Sequence, residues 1–155
     1  MIKYITIVLG SILVIGCGSK SANYPSTDLL KHGFSISVKA PADAKIASDD
    51  LGVMKELTIQ SGEEYNVQIL KSNSNTNIVK DAVNGQMKMV KSDRYFTKVI
   101  EEYDNGFIFE KDIDGNINYD FRYIKLIGDQ EYIYQTGMMG TFTEEAVRTM
   151  YDSVQ

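Results

Sequence analysis

The sequence predicts an α+β domain in which an antiparallel β-sheet of six to seven strands, rich in meander connections, is covered by two amphipathic helices. Three observations lead to this prediction. Several segments alternate apolar and polar residues, which is the period of a half-buried strand. Turn signals rich in Gly, Asn and Asp separate many of these segments, as expected for hairpins of antiparallel strands. Two other segments carry apolar residues at helical spacing.

Three strands are predicted before the first helix. Residues 34–38 (FSISV) alternate apolar and polar side chains, and residues 53–60 (VMKELTIQ) form the second strand. Residues 61–63 (SGE) have the composition of a hairpin turn, so residues 65–69 (YNVQI) are expected to run back beside the second strand.

A helix is predicted over residues 78–91. The preceding segment, residues 72–77 (SNSNTN), has side chains that hydrogen-bond backbone amides and therefore favours caps and turns. Gly85 weakens the helix by about 1 kcal/mol relative to alanine. The apolar positions at helical spacing are Val79, Ala82, Val83, Met87 and Val90.

Four further strands are predicted in series, as an antiparallel meander. Asp104-Asn105-Gly106 and Asp114-Gly115-Asn116 are strong hairpin signals, because both central residues of a type I′ turn need positive φ. The strands cover residues 95–103, 106–111, 117–127 and 131–136.

The chain closes with a second predicted helix. Thr143 is a suitable N-cap residue, and Glu144 and Glu145 place negative charge at the positive end of the helix dipole. Phe142 and Val147 occupy the two positions of a hydrophobic staple. The helix therefore presents an apolar stripe to the sheet.

The order β-β-β-α-β-β-β-β-α resembles the Mog1/PsbP-like fold. The resemblance covers residues 32–155 and is carried by GFSISVKAP near the domain start, the middle helix, the NGFIFE hairpin and the closing FTEEAVRTMYDSV helix. It implies a scaffold found in small bacterial lipoproteins, without an active site that could be carried over to this chain.

The first residues resemble a bacterial lipoprotein signal peptide. Lys3 precedes an uncharged apolar run that is too short to span a bilayer, which needs about 20 residues. The run ends in Val14-Ile15-Gly16-Cys17, which resembles a lipobox. The resemblance implies cleavage after Gly16 and attachment of diacylglycerol, and of a further acyl chain such as palmitate, to Cys17. A plain membrane anchor and a buried structural cysteine are the alternatives.

The predicted organisation is therefore a signal peptide over residues 1–16, a lipidated cysteine and flexible tether over residues 17–31, and a single domain over residues 32–155. The tether assignment depends on the small polar residues and Pro25 that follow Cys17. We expect the protein to be exported to the bacterial cell envelope and held by its lipid at the outer membrane or cell surface.

Composition excludes several function classes. The net charge is −5 and the chain has no basic run, so nucleic acid is a poor partner. With its one cysteine acylated, the chain forms no disulfide. The sequence predicts no metal site and no cofactor. His32 is the only histidine, and Asp112–Asn116 lacks the ligand register of a calcium loop, since its glycine comes fourth and not sixth.

Two sets of side chains remain as candidates for binding. Methionines can bind a soft metal, but core packing is the favoured interpretation for Met87, Met89, Met138 and Met139. The second set consists of aromatic residues on adjacent predicted strands, which can stack a flat ligand or pack beneath a helix. These ligand-facing candidates are Tyr119, Tyr123, Tyr132 and Tyr134.

The sequence thus favours a non-enzymatic binding or interaction domain whose partner is an envelope protein or a small ligand. It offers no nucleophile–base pair, phosphate-binding loop or metal-ligand cluster. The alternatives are a small hydrolase-like envelope enzyme and a purely structural envelope component. A buried carboxylate with a shifted pKa in a deep cleft would favour the enzyme.

Overall fold

The computed structural model describes residues 20–155 and shows an α+β fold. Cys17 and the predicted signal peptide lie outside the described residues. The strands are β1 (Ser26–Asp28), β2 (Ser37–Lys39), β3 (Lys45–Asp50), β4 (Lys55–Ser61), β5 (Tyr65–Asn73), β6 (Phe96–Tyr103), β7 (Gly106–Ile113), β8 (Asn116–Ile127) and β9 (Gln130–Thr136). The helices are α1 (Val79–Lys91) and α2 (Glu144–Val154), and short 3-10 helices cover Lys20–Asn23 and Leu30–His32.

Seven strands form one open antiparallel sheet in the order β3-β4-β5-β9-β8-β7-β6. Two meanders, β3-β4-β5 and β6-β7-β8-β9, meet where the last strand returns to pair with β5. In that pairing Val67 lies opposite Thr136 and Ile69 opposite Tyr134. The predicted antiparallel sheet and its two helices are confirmed.

The two helices cover opposite faces of this sheet. α2 covers the larger core together with the segment from Leu29 to Ala40. α1 covers a smaller core that contains Phe107, Phe109 and Ile124. The predicted N-cap of α2 is confirmed, because Thr143 Oγ1 accepts a hydrogen bond from the backbone N–H of Ala146 at 3.2 Å.

One predicted strand belongs to a different sheet. Residues 34–38 contribute to β2, which pairs only with β1 in a separate two-stranded sheet. The seventh strand of the main sheet is instead β3, whose residues KIASDD are mostly exposed. This edge strand buries little side-chain surface, so its sequence lacks the apolar alternation from which a strand is predicted.

The segment from residue 20 to residue 31 is part of the packed domain, which differs from the predicted flexible tether. β1 pairs with β2, and Leu29 is fully buried in the larger core. Tyr24 packs edge-to-face on Tyr65, with 5.7 Å between the ring centroids. The composition of this segment is polar, but a few apolar side chains are enough to fix it against the sheet.

Both predicted hairpin turns are present, but only the second has the positive φ angles of a type I′ turn, because neither Asp104 nor Asn105 has positive φ. Asp114 and Gly115 both have positive φ, of 54° and 85°, as a type I′ turn requires. Gly106 is instead the first residue of β7, and a Cβ there would lie 2.0 Å from the backbone oxygen of Arg122. The close approach of two strands requires this glycine.

Candidate functional site

A groove of about 340 Å³ lies between the C-terminal half of α1 and the sheet. Its volume falls at the lower end of the range of about 300–1,000 Å³ that is typical of small-molecule sites. Most of the exposed lining is apolar. The lining residues are Met54, Leu70, Gln86, Met89, Val90, Asp93, Phe96, Phe109, Lys111, Asp120, Arg122, Ile133 and Gln135.

The groove exists because α1 covers only part of its sheet face. Val90 of the helix packs with Phe107 and Phe109 of β7 in the smaller core. Leu70 of β5 and Ile133 of β9 point to the same face of the sheet, but they belong to neither core cluster and remain partly exposed. The uncovered strip between them and the helix forms the apolar part of the groove.

A buried charged cluster closes one part of the groove. Asp120 of β8 is 5% exposed. Its Oδ2 accepts a hydrogen bond from Lys111 Nζ at 3.0 Å, and Arg122 Nη1 lies 3.2 Å from its Oδ1. Both cations lie near the Phe109 ring, with Arg122 Cζ 5.3 Å and Lys111 Nζ 5.8 Å from its centroid. This arrangement fixes two cationic side chains against an aromatic wall.

The Asp120 carboxylate also accepts hydrogen bonds from backbone N–H groups of β8 and β9. Asp120 Oδ1 accepts hydrogen bonds from the backbone N–H of Phe121 at 2.8 Å and from the backbone N–H of Thr136 at 3.1 Å. The Thr136 hydroxyl donates to it at 2.7 Å. The paired residues of β8 and β9 run only from Tyr123–Tyr134 to Ile127–Gln130, so the Asp120 side chain bridges the strands where the ladder has ended.

These contacts keep Asp120 ionised. Burial alone would raise the pKa of its carboxyl group, but Arg122, Lys111 and the Thr136 hydrogen bond outweigh burial and hold the pKa below its ordinary value. A general base or acid works best with a pKa near the working pH. A carboxylate with a lowered pKa and so many donors is therefore suited to holding Lys111 and Arg122 in place and not to proton transfer.

A row of hydrogen-bonded polar side chains borders the groove on β4, β5 and β9. Gln135 Nε2 donates to Gln68 Oε1 at 2.5 Å, and Gln68 Nε2 donates to Glu56 Oε1 at 2.6 Å. Gln135 also lines the groove. These hydrogen bonds satisfy the amide of Gln68, which is buried on this face of the sheet.

The structure places three of the four candidate tyrosines in the larger core. Tyr123, Tyr132 and Tyr134 are buried, and Tyr119 is partly buried against the same core. They lie on the face of the sheet opposite the groove, beneath α2 and the segment before β3. Their environment is therefore that of side chains packed beneath a helix and not that of an exposed surface that stacks a ligand.

Tyr123 reaches the surface at one shallow depression of about 460 Å³. Tyr103 and Tyr151, which also line it, stack with 4.5 Å between ring centroids. Tyr123 meets Tyr151 edge-to-face at 5.7 Å. The depression is more open than the groove and offers less apolar surface, which makes it the weaker ligand site.

The methionines differ from the packing expectation. Met138 and Met139 are 86% and 84% exposed, and Met89 is also largely exposed. Met87 alone of the four packs partly against the smaller core. Within residues 20–155, no three His, Cys, Asp or Glu side chains are grouped so that they could hold a metal ion.

Asp120 and Arg122 alternate with apolar residues in the sequence of β8, but the sequence analysis assigned them no role. A signal was available, since opposite charges two residues apart on a central strand share one face and must find partners there. The sequence does not show that Lys111 belongs to the same cluster, because its position beside β8 depends on the register of the hairpin.

In the described part of the chain, no helix has the length and apolar character needed to cross a membrane. No protein-family model and no curated protein matches the chain. Among solved structures, the chain is similar to a protein from Bacteroides thetaiotaomicron VPI-5482, with 13% sequence identity and a TM-score of 0.38. The alignment covers 76% of this chain and 43% of that protein's chain, so this chain spans less than half of its length.

Proposed function

We propose that the protein is a lipoprotein of the bacterial cell envelope, anchored through Cys17, whose domain binds a small ligand in the groove beside α1 and has no enzymatic activity. The single observation that carries the binding proposal is the groove itself, which combines an apolar wall with fixed polar donors. The sequence VIGC at residues 14–17, which resembles a lipobox, supports the anchor. The order of strands and helices supports a Mog1/PsbP-like scaffold.

The lining suggests the chemistry of the ligand. Leu70, Ile133 and Phe96 offer surface for an apolar body. Lys111 has three N–H groups and gives one to Asp120, so it has further donors for an acceptor group on the ligand. We therefore expect a small molecule with an apolar body and at least one hydrogen-bond acceptor.

The absence of enzymatic activity is part of the proposal, and the Asp120 cluster supports it. The buried carboxylate with a shifted pKa is the feature that would favour an envelope hydrolase, but its pKa is shifted downward and its oxygens are occupied. A carboxyl group with a lowered pKa stays ionised at neutral pH and is a poor general acid or base there.

A dye-binding experiment tests the groove. The fluorescence of N-phenylnaphthylamine, which rises in apolar surroundings, is titrated against the full chain and two variants. Ile133→Trp fills the groove, whereas Thr58→Trp adds the same side chain to the same sheet face outside the groove lining. We expect one saturable site in the parent, a loss of affinity of about tenfold or more in Ile133→Trp, equivalent to about 1.4 kcal/mol, and parent-like binding in Thr58→Trp.

The groove proposal is wrong if the dye shows no saturable binding, or if both tryptophan variants bind it equally. The anchor is tested separately by the intact mass of the protein from membrane and soluble fractions. We expect loss of residues 1–16 and a mass increase from diacylglycerol on Cys17. An unmodified chain that retains residues 1–16 and remains in the soluble fraction would contradict the anchor.

A further inference from the structure

We propose that the loop carrying Met138 and Met139 is a second membrane contact, which lies on a neutral lipid surface beside the lipid anchor. This inference rests on the proposed lipidation of Cys17. It adds an orientation: one end of the sheet faces the bilayer, and the opposite end points away from it.

The two methionine side chains extend from a loop whose backbone is held. The backbone N–H of Gly137 donates to Asn66 O at 2.8 Å, and Asn66 Nδ2 donates to Met139 O at 3.3 Å. Met138 and Met139 nevertheless remain 86% and 84% exposed. Two adjacent apolar side chains held outward in this way form a surface that favours an apolar partner.

The loop and Lys20 lie at the same end of the sheet. Lys20, the first described residue, lies with its Nζ 3.1 Å from Glu145 Oε1 in the first turn of α2. Tyr24 packs on Tyr65. Tyr65 precedes Asn66, the residue that holds the methionine loop.

The covalent distance from the anchor to the domain is short. Three Cα–Cα steps separate Cys17 from Lys20, which allow at most about 11 Å even in a fully extended chain. Two or more acyl chains on Cys17 would hold this residue stably at the bilayer surface. The packed domain, which includes Lys20, is therefore held within contact distance of the lipid.

Charge at this end of the sheet selects the kind of lipid. Glu63 and Glu64 lie exposed in the turn between β4 and β5 at this end of the sheet. These carboxylates repel anionic headgroups. The proposed partner is therefore a neutral lipid surface, into which the methionines insert by burial of apolar area and without electrostatic attraction.

The test uses the full acylated chain on phosphatidylcholine vesicles. With Cys17 acylated, an introduced cysteine is the only free thiol, so a polarity-sensitive fluorophore can be placed at Met138→Cys. The matched control is Val53→Cys, which is 87% exposed in the turn between β3 and β4 at the opposite end of the sheet. Neither substitution disturbs a packed side chain.

We expect the label at Met138→Cys to shift its emission to shorter wavelength on vesicles and to be quenched by nitroxide-labelled lipids. The label at Val53→Cys should keep its aqueous emission. Replacing part of the phosphatidylcholine by phosphatidylglycerol should reduce the shift at low salt.

The possible failures are distinguishable. A chain that carries no lipid and does not float with vesicles contradicts the anchor, and the loop contact with it. An acylated chain that floats while the label at Met138→Cys keeps its aqueous emission contradicts only the loop contact. A larger shift on anionic vesicles contradicts the choice of a neutral surface.

Discussion

Asp120 Oδ1 accepts two hydrogen bonds from Thr136, one from the backbone N–H at 3.1 Å and one from the hydroxyl at 2.7 Å. The two residues lie on neighbouring strands, beyond the last paired residues of their ladder. One carboxylate thus completes the backbone hydrogen bonding of the sheet and also fixes the cations that line the groove.

We expect Asp120→Asn to lower the free energy of unfolding by about 3 kcal/mol, because it removes the charged partner of Lys111 and Arg122 in a buried cluster. Urea denaturation at neutral pH measures this. Thr136→Val is the matched control for the single hydroxyl bond and should cost about 1 kcal/mol. Equal small losses in both variants would show that the ion pairs contribute little.

The same cluster predicts a dependence of stability on pH. The pKa of Asp120 in the folded chain lies below its ordinary value, so the folded state favours the charged carboxylate. This stabilisation is fully present above the unfolded pKa of about 3.9 and is lost as the pH falls through the folded pKa. The difference in unfolding free energy between the parent and Asp120→Asn should therefore shrink as the pH is lowered below about 4. If this difference in unfolding free energy stays constant as the pH falls, the destabilisation of Asp120→Asn comes from packing and not from the lost charge.

Two glycine-to-alanine substitutions are expected to have opposite effects. Gly106→Ala places a Cβ 2.0 Å from Arg122 O, so the pairing of β7 with β8 must shift, at a cost of about 2–3 kcal/mol. Gly85→Ala lies in α1 with nothing within 4 Å of the added Cβ and should stabilise the chain by up to about 1 kcal/mol. Thermal unfolding of both variants measures the difference. A stable Gly106→Ala variant would show that the two strands separate easily.

The sequence predicts most of the fold because its strongest patterns are local. Period-2 alternation reveals β8 and β9, helical spacing reveals α1, and capping residues reveal the start of α2. β3 is not predicted from the sequence, because this mostly exposed edge strand has no apolar face. The pairing of β5 with β9 depends on tertiary packing, so local patterns predict both strands but not their contact.

The candidate groove could be predicted only in part. Asp120 and Arg122 are visible as charges on the polar face of one strand, but the groove depends on how much of the sheet α1 leaves uncovered. The alternating tyrosines on adjacent strands are compatible with a ligand-binding face, but alternation is equally a property of a buried face. The exposure of Met138 and Met139 depends on the loop backbone held by Asn66, which no local pattern shows.

Burial of Tyr65 predicts an effect at alkaline pH. Burial raises the pKa of Tyr65 to about 12, against the hydrogen bond to Ser153, which lowers it. A raised pKa in the folded state means that stability is fully present below the unfolded pKa of about 10 and is lost as the pH rises through about 12. We expect Tyr65→Phe, which also removes the bond to Lys39 O at 3.0 Å, to be less stable at neutral pH by about 1 kcal/mol and to show a weaker alkaline loss. Denaturant titrations at neutral pH and above pH 10 measure both effects, and an unchanged alkaline slope would contradict the role of Tyr65.

Adjacent leucines test where the packed domain begins. Leu29 is fully buried in the larger core, whereas Leu30 is 62% exposed. Leu29→Ala should lower the free energy of unfolding by about 2–5 kcal/mol, since it removes buried methyl groups and leaves a cavity. Leu30→Ala should change it by no more than about 0.5 kcal/mol. If the segment before residue 32 were a flexible tether, both substitutions would be neutral in urea denaturation. A large loss confined to Leu29→Ala would show that this segment is part of the folded domain, which in turn shortens the link to Cys17 and holds the domain close to the membrane.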